Sequence, residues 1–111
     1  MQITEGAVRD WERETGRRCP NRGGMFEPRL NIEIGTWYLA QAVHRWRDYR
    51  DGDVLALAEY NAGVRNARQW SPADPRQPVP LAKVSFPSTR EYIRRVQEWW
   101  QRFEDQYHDS R

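Results

Sequence analysis

From Ser88 to Tyr107 apolar residues recur at every third or fourth position: Tyr92/Ile93, Val96, Trp99/Trp100, Phe103 and Tyr107. That spacing follows one face of a 3.6-residue helix. Arg94, Arg95, Glu98, Arg102 and Asp105 fall on the opposite face. A helix of this length with an apolar stripe gains its stability from what it packs against, so other elements must cover it. Ser88-Thr89-Arg90-Glu91 at its start has the pattern of a capping box. Basic residues mixed with aromatics can also signal RNA stacking. Here the two kinds separate onto different faces, so the stripe is expected to be core.

The rest of the chain carries the same period. Thr4 is an N-cap candidate for a helix ending at Gly16, with Ala7, Val8, Trp11 and Thr15 as its buried stripe. Residues 17–28 are rich in Gly, Pro and Asn and are expected to form a loop. A helix is predicted over 30–49, with Ile32, Gly35, Leu39, Ala42/Val43 and Trp46 on one face and Ile34, Trp37 and Tyr38 on a second. Apolar on two faces, it should be central. Gly35 in its middle points to a close backbone neighbour. After the Asp51-Gly52-Asp53 turn, Asp53 is the N-cap candidate for a short helix through Val54-Leu55-Ala56-Leu57-Ala58. Another short helix is predicted over 65–70, followed by a long connection with Pro72, Pro75, Pro78, Pro80 and Pro87. Connections of this length are either functional or plain spacers. With no period-2 strand pattern and no internal repeat, the class is all-α.

At 111 residues the chain is one domain at most. Its net charge of +2 comes from 18 basic and 16 acidic residues interspersed, so no field able to hold nucleic acid is expected. No apolar stretch is long enough to span a bilayer, and no export signal opens the chain. Cys19, the single cysteine, cannot form an internal disulfide. Together with the two histidines it shows no metal-ligand spacing. No cofactor or metal is indicated.

The richest chemistry lies in Glu59-Tyr60-Asn61-Ala62-Gly63. Gly63 suits the positive φ needed just past a helix end. Tyr60 and Asn61 then occupy the last turn, an aromatic wall beside a hydroxyl and an amide. Such groups suit a neutral, hydroxyl-rich and amide-rich ligand such as an amino sugar. The same pattern also describes an ordinary helix stop with a core tyrosine.

Three blocks in order resemble the soluble lytic transglycosylase family, whose domain has a goose-type lysozyme-like helical fold. They are Asn31-Ile32-Glu33-Ile34-Gly35-Thr36-Trp37-Tyr38-Leu39, Ala58-Glu59-Tyr60-Asn61-Ala62-Gly63 with Arg68 and Trp70 beyond, and Phe86-Pro87-Ser88-Thr89-Arg90-Glu91-Tyr92-Ile93. They are similar to N-I-x-x-G-x-x-Y-L, A-x-Y-N-A-G and F-x-x-T-R-x-Y-V. Met1-Gln2-Ile3 resembles the end of the family's G-L-M-Q-I segment. Two departures stand out: Val64-Arg65 replaces the family's Pro-Gly, and Ala82 stands about where many relatives carry a glutamate.

The resemblance implies a partial lytic transglycosylase domain over 1–111, lacking the N-terminal helix that carries the catalytic acid. That glutamate is expected upstream of Met1, so no catalytic residue is identifiable in the chain. Met1, Gln2, Tyr60, Asn61 and Tyr92 are the implied substrate-binding residues. The implied activity cleaves the MurNAc-GlcNAc bond of peptidoglycan to a 1,6-anhydro product, with this chain inactive alone. The implied partners are glycan strands and the implied location is the cell envelope or periplasm. A non-catalytic glycan-binding remnant or an all-α interaction module is the alternative. Glu59 and Glu91 are poor substitute acids. Adjacent helical residues point about 100° apart, which turns Glu59 from any cleft that Tyr60 lines, and the capping box accounts for Glu91. Removing a helix from a packed domain uncovers several hundred Å², which at about 25 cal/mol per Å² amounts to several kcal/mol. A loose or self-associating chain is the expectation.

Overall fold

The computed structural model describes residues 5–19 and 28–109. Five α-helices and a short 3-10 turn follow one another: α1 (Glu5–Thr15), α2 (Pro28–Arg45), α3 (Gly52–Ala62), α4 (Val64–Trp70), the 3-10 turn (Leu81–Lys83) and α5 (Pro87–Asp109). No strand occurs among the described residues. The all-α class expected from periodicity is therefore what the chain adopts. The proposed Thr4 cap lies outside the described residues.

α1 ends at Gly16, whose φ of 73° lets the chain leave the helix. Its Val8 and Trp11 pack with Cys19, Leu30 and Ile34, joining α1 to the first half of α2. Thr15, expected on the buried stripe, is exposed; its hydroxyl donates to the Trp11 carbonyl at 2.6 Å instead. The Arg17 guanidinium lies over the Trp11 ring and pairs with Glu33.

α3 is the centre of the larger core. Val54, Leu55, Ala56 and Ala58 pack with Ala42, Trp46, Ala67, Trp70, Val79, Val84 and Ile93. Its small side chains let α2, α4 and α5 all reach it. The helix starts two residues earlier than Asp53 suggested, with Asp51 at the cap position. Asp51 makes no side-chain cap bond there, because its Oδ2 accepts the Val79 N–H at 2.6 Å. Gly52 is required by contact: an added Cβ would lie 2.1 Å from the Trp46 carbonyl oxygen.

The proline-rich connection is not a loose spacer. The Arg50 N–H donates to the Pro75 carbonyl, Val79 and Val84 are buried, and Trp70 Nε1 donates to Ser85 Oγ at 3.1 Å. It straps the ends of α3 and α4 together.

Two amphipathic expectations fail in part. On α2, Ile34, Gly35 and Ala42 are buried, but Ile32 is 66% exposed and Val43 52%. On α5, Ile93 is buried and Tyr92 and Val96 are half-buried, whereas Trp99, Trp100, Phe103 and Tyr107 are each at least half exposed. Only the first turns of α5 are packed into the core; the aromatics beyond them cover one another, Trp99 stacking on Phe103 at 5.8 Å. The capping box is also not formed as expected. Pro87 opens the helix, and Glu91 pairs with Arg94 and Arg95.

Candidate functional site

α3 stops at Gly63, whose φ of 94° and ψ of 158° suit only glycine. The stop leaves Tyr60 and Asn61 in the last turn, as the local sequence required. The first turn of α5 arrives beside them. The buried Thr89 hydroxyl donates to Asn61 Oδ1 at 2.7 Å, across 28 residues of chain. Asn61 itself is exposed, with its side-chain oxygen held by Thr89.

Three half-buried tyrosines from three helices meet here. Tyr60 stacks on Tyr92, centroids 6.5 Å apart and planes 15° from parallel. Tyr38 of α2 stands edge-on to Tyr60 at 6.1 Å and 60°. Burial raises the phenol pKa of Tyr60 and Tyr92, with the neighbouring Tyr92 adding to the effect on Tyr60. The Tyr38 phenol is pushed up to about 12, first by burial and then by the charge of, and hydrogen bonding with, Glu59. All three hydroxyls are therefore neutral at physiological pH.

The structure brings together Tyr60, Asn61 and Tyr92. Met1 and Gln2 lie outside the described residues. Tyr38 and Thr89 were missed as site residues although both stand in the quoted motifs; helical spacing put Tyr38 on an interior face and offered no reason to pair Thr89 with Asn61.

Neither nearby carboxylate is poised as an acid. Glu59 is 1% exposed and accepts from Arg45 Nε at 3.0 Å and Trp46 Nε1 at 2.9 Å. Glu91 is exposed less than Arg94 and Arg95 but bonded to both. No cluster of His, Cys, Asp and Glu among the described residues could hold a metal ion. An apolar groove of about 630 Å³ lies between α2, α3 and α5, lined mainly by Leu39, Val43, Ala56, Leu57, Val96 and Trp100. Asp53, Gln97 and Gln101 complete a lining that is otherwise apolar, and the tyrosine cluster, with its hydroxyls and amide, is the site better suited to a hydroxyl-rich ligand. No described helix is long and apolar enough to cross a membrane.

Residues 1–78 match the family model described as the transglycosylase SLT domain. A soluble lytic murein transglycosylase of Salmonella typhimurium is 34% identical over 77 residues, covering 67% of this chain and 12% of that protein. The chain therefore spans about an eighth of the length of this curated relative. No solved structure matches it.

Proposed function

The chain belongs to the transglycosylase SLT domain family, and on that premise we propose that its tyrosine cluster is the wall of a cleft for peptidoglycan glycan strands. The observation that carries this reading is the convergence of Tyr38, Tyr60 and Tyr92 beside an Asn61 held by Thr89. Stacked aromatic faces take the apolar face of a pyranose ring, and fixed hydroxyl and amide groups take its hydroxyls and N-acetyl group. Met1 and Gln2 would extend the contact.

The reaction is the cleavage of the MurNAc-GlcNAc bond. An acid of raised pKa protonates the glycosidic oxygen; its conjugate base then takes the proton of the substrate's own 6-hydroxyl, which attacks to close the 1,6-anhydro ring. Glu59 and Glu91 are both committed to arginines. With both carboxylates beside the cluster so held, the chain binds glycan on this reading and does not cleave it. The place of action is the cell envelope or periplasm, where the polymer is. A second reading, an all-α interaction module, draws on one observation, the exposed Trp99, Trp100 and Phe103 of α5.

Incubation with purified sacculi tests both parts. The chain is expected to pellet with the sacculi and to release no anhydro-muropeptides. Release would refute the inactivity, and failure to co-sediment would favour the interaction module.

A further inference from the structure

The half of α5 that the core leaves uncovered carries Trp99, Trp100, Phe103 and Tyr107, each at least half exposed. At about 200 Å² for a whole aromatic side chain, they leave roughly 400 Å² of apolar surface along the helix. A patch of that size marks an interaction surface. Glu98 and Arg102 flank it, and with Trp99 they line a groove of about 440 Å³ on this side of α5. Both are exposed, and neither has a hydrogen-bond or ion-pair partner among the described residues. Their spacing of four residues would allow them to pair within the helix, yet they do not.

A helix that lies on lipid carries an excess of Lys and Arg on its polar face. Here Arg94, Arg95 and Arg102 are mixed with Glu91, Glu98, Glu104 and Asp105, which suits a partner of equally mixed charge. The order of the charges selects a second copy of this chain, and one direction for it. Parallel helices in register would set Glu98 against Glu98 and Arg102 against Arg102. Antiparallel helices related by a two-fold axis level with Trp100 set Glu98 against Arg102 of the partner subunit, and this pair occurs twice. Arg95 and Asp105, each bound within its own helix, come level with one another as well. In the same register Trp99 falls midway between Trp99 of the partner subunit and Phe103 of the partner subunit, about 3 Å along the axis from each at 1.5 Å per residue. We propose that the exposed half of α5 is a homodimer interface, two chains pairing antiparallel about Trp100 with the Glu98–Arg102 pairs setting direction and register. The proposal is independent of the glycan cleft. The aromatic patch is half of the about 800 Å² that a standard interface takes from each partner, so the dimer is weak and concentration-dependent.

Sedimentation equilibrium of the full chain over a concentration series tests this. The wild type is expected to show a monomer–dimer equilibrium. Glu98→Arg and Arg102→Glu each place like charges across the axis twice and are expected to weaken the dimer about 5–50-fold. The double variant exchanges the two signs, restores the complementarity and is expected to return the dimer to near wild-type strength. Both positions are exposed, so the circular dichroism of every variant should match the wild type, which separates lost pairing from lost fold. A wild type that stays monomeric overturns the proposal, and if that monomer sediments with phosphatidylcholine–phosphatidylglycerol vesicles the face belongs to lipid. Assembly beyond two copies overturns it, because the two-fold axis closes at a dimer. A dimer that the single reversals leave unchanged, or that the double reversal does not restore, overturns it too.

Discussion

The buried hydroxyl of Thr89 donates to Oδ1 of the exposed Asn61 at 2.7 Å, fastening the first turn of α5 to the last turn of α3. Both helices contribute a tyrosine to the candidate wall, so this bond bears on binding as well as on stability. Thr89→Val keeps the shape and removes the donor. Asn61 Oδ1 can then turn to water, so the cost is expected at about 1 kcal/mol. Urea denaturation reads that cost, and oligosaccharide titration should show weaker binding alongside it.

Gly63 and Gly52 are required for different reasons, and alanine at each should separate them. At Gly63 an added Cβ meets nothing within 4 Å, but the backbone lies at φ 94°. Gly63→Ala therefore pays only backbone strain, about 1–3 kcal/mol. At Gly52 the Cβ would run into the Trp46 carbonyl oxygen at 2.1 Å, where neither backbone segment yields easily. Gly52→Ala should be the more destabilised of the two in urea melts.

Tyr38 should make the fold sensitive to alkali. Its phenol pKa is raised from 10.0 to about 12, so between those values the folded chain holds a proton that the unfolded chain has lost. The stability contributed by the neutral phenol is complete below about pH 10 and is lost as pH rises through about 12. In Tyr38→Phe that component is absent, and the fall in unfolding free energy over the same range should be shallower. Denaturation curves taken from pH 9 upward measure the slope.

The two halves of α5 should respond oppositely to truncation of their apolar residues. Ile93→Ala removes a fully buried side chain and is expected to cost about 2–5 kcal/mol. Trp99→Gln and Phe103→Gln act on side chains at least half exposed and should change stability by no more than about 0.5 kcal/mol. Sedimentation velocity should show less self-association in the Gln pair, since the exposed aromatics are the apolar surface through which copies can meet.

Much of the fold was legible in the sequence because it is local. Helical spacing placed every α-helix to within a few residues, and Gly16 and Gly63 marked their stops through the positive φ that other residues avoid. The Tyr60-Asn61 pair was legible for the same reason: a helix end determines which residues its last turn presents.

Tertiary structure alone decided the rest. Periodicity says which residues share a face, not how far a neighbour extends to cover it; Ile93 and Trp99 lie on one stripe, yet the core closes over the first and stops short of the second. A cap likewise yielded to a distant partner: Asp51, at the cap position of α3, accepts the Val79 N–H 28 residues away instead. Glu59 shows the limit most clearly. Helix geometry turned it away from Tyr60, but only the packing of α2 on α3 brought Arg45 and Trp46 to its carboxylate and set Tyr38 edge-on to Tyr60.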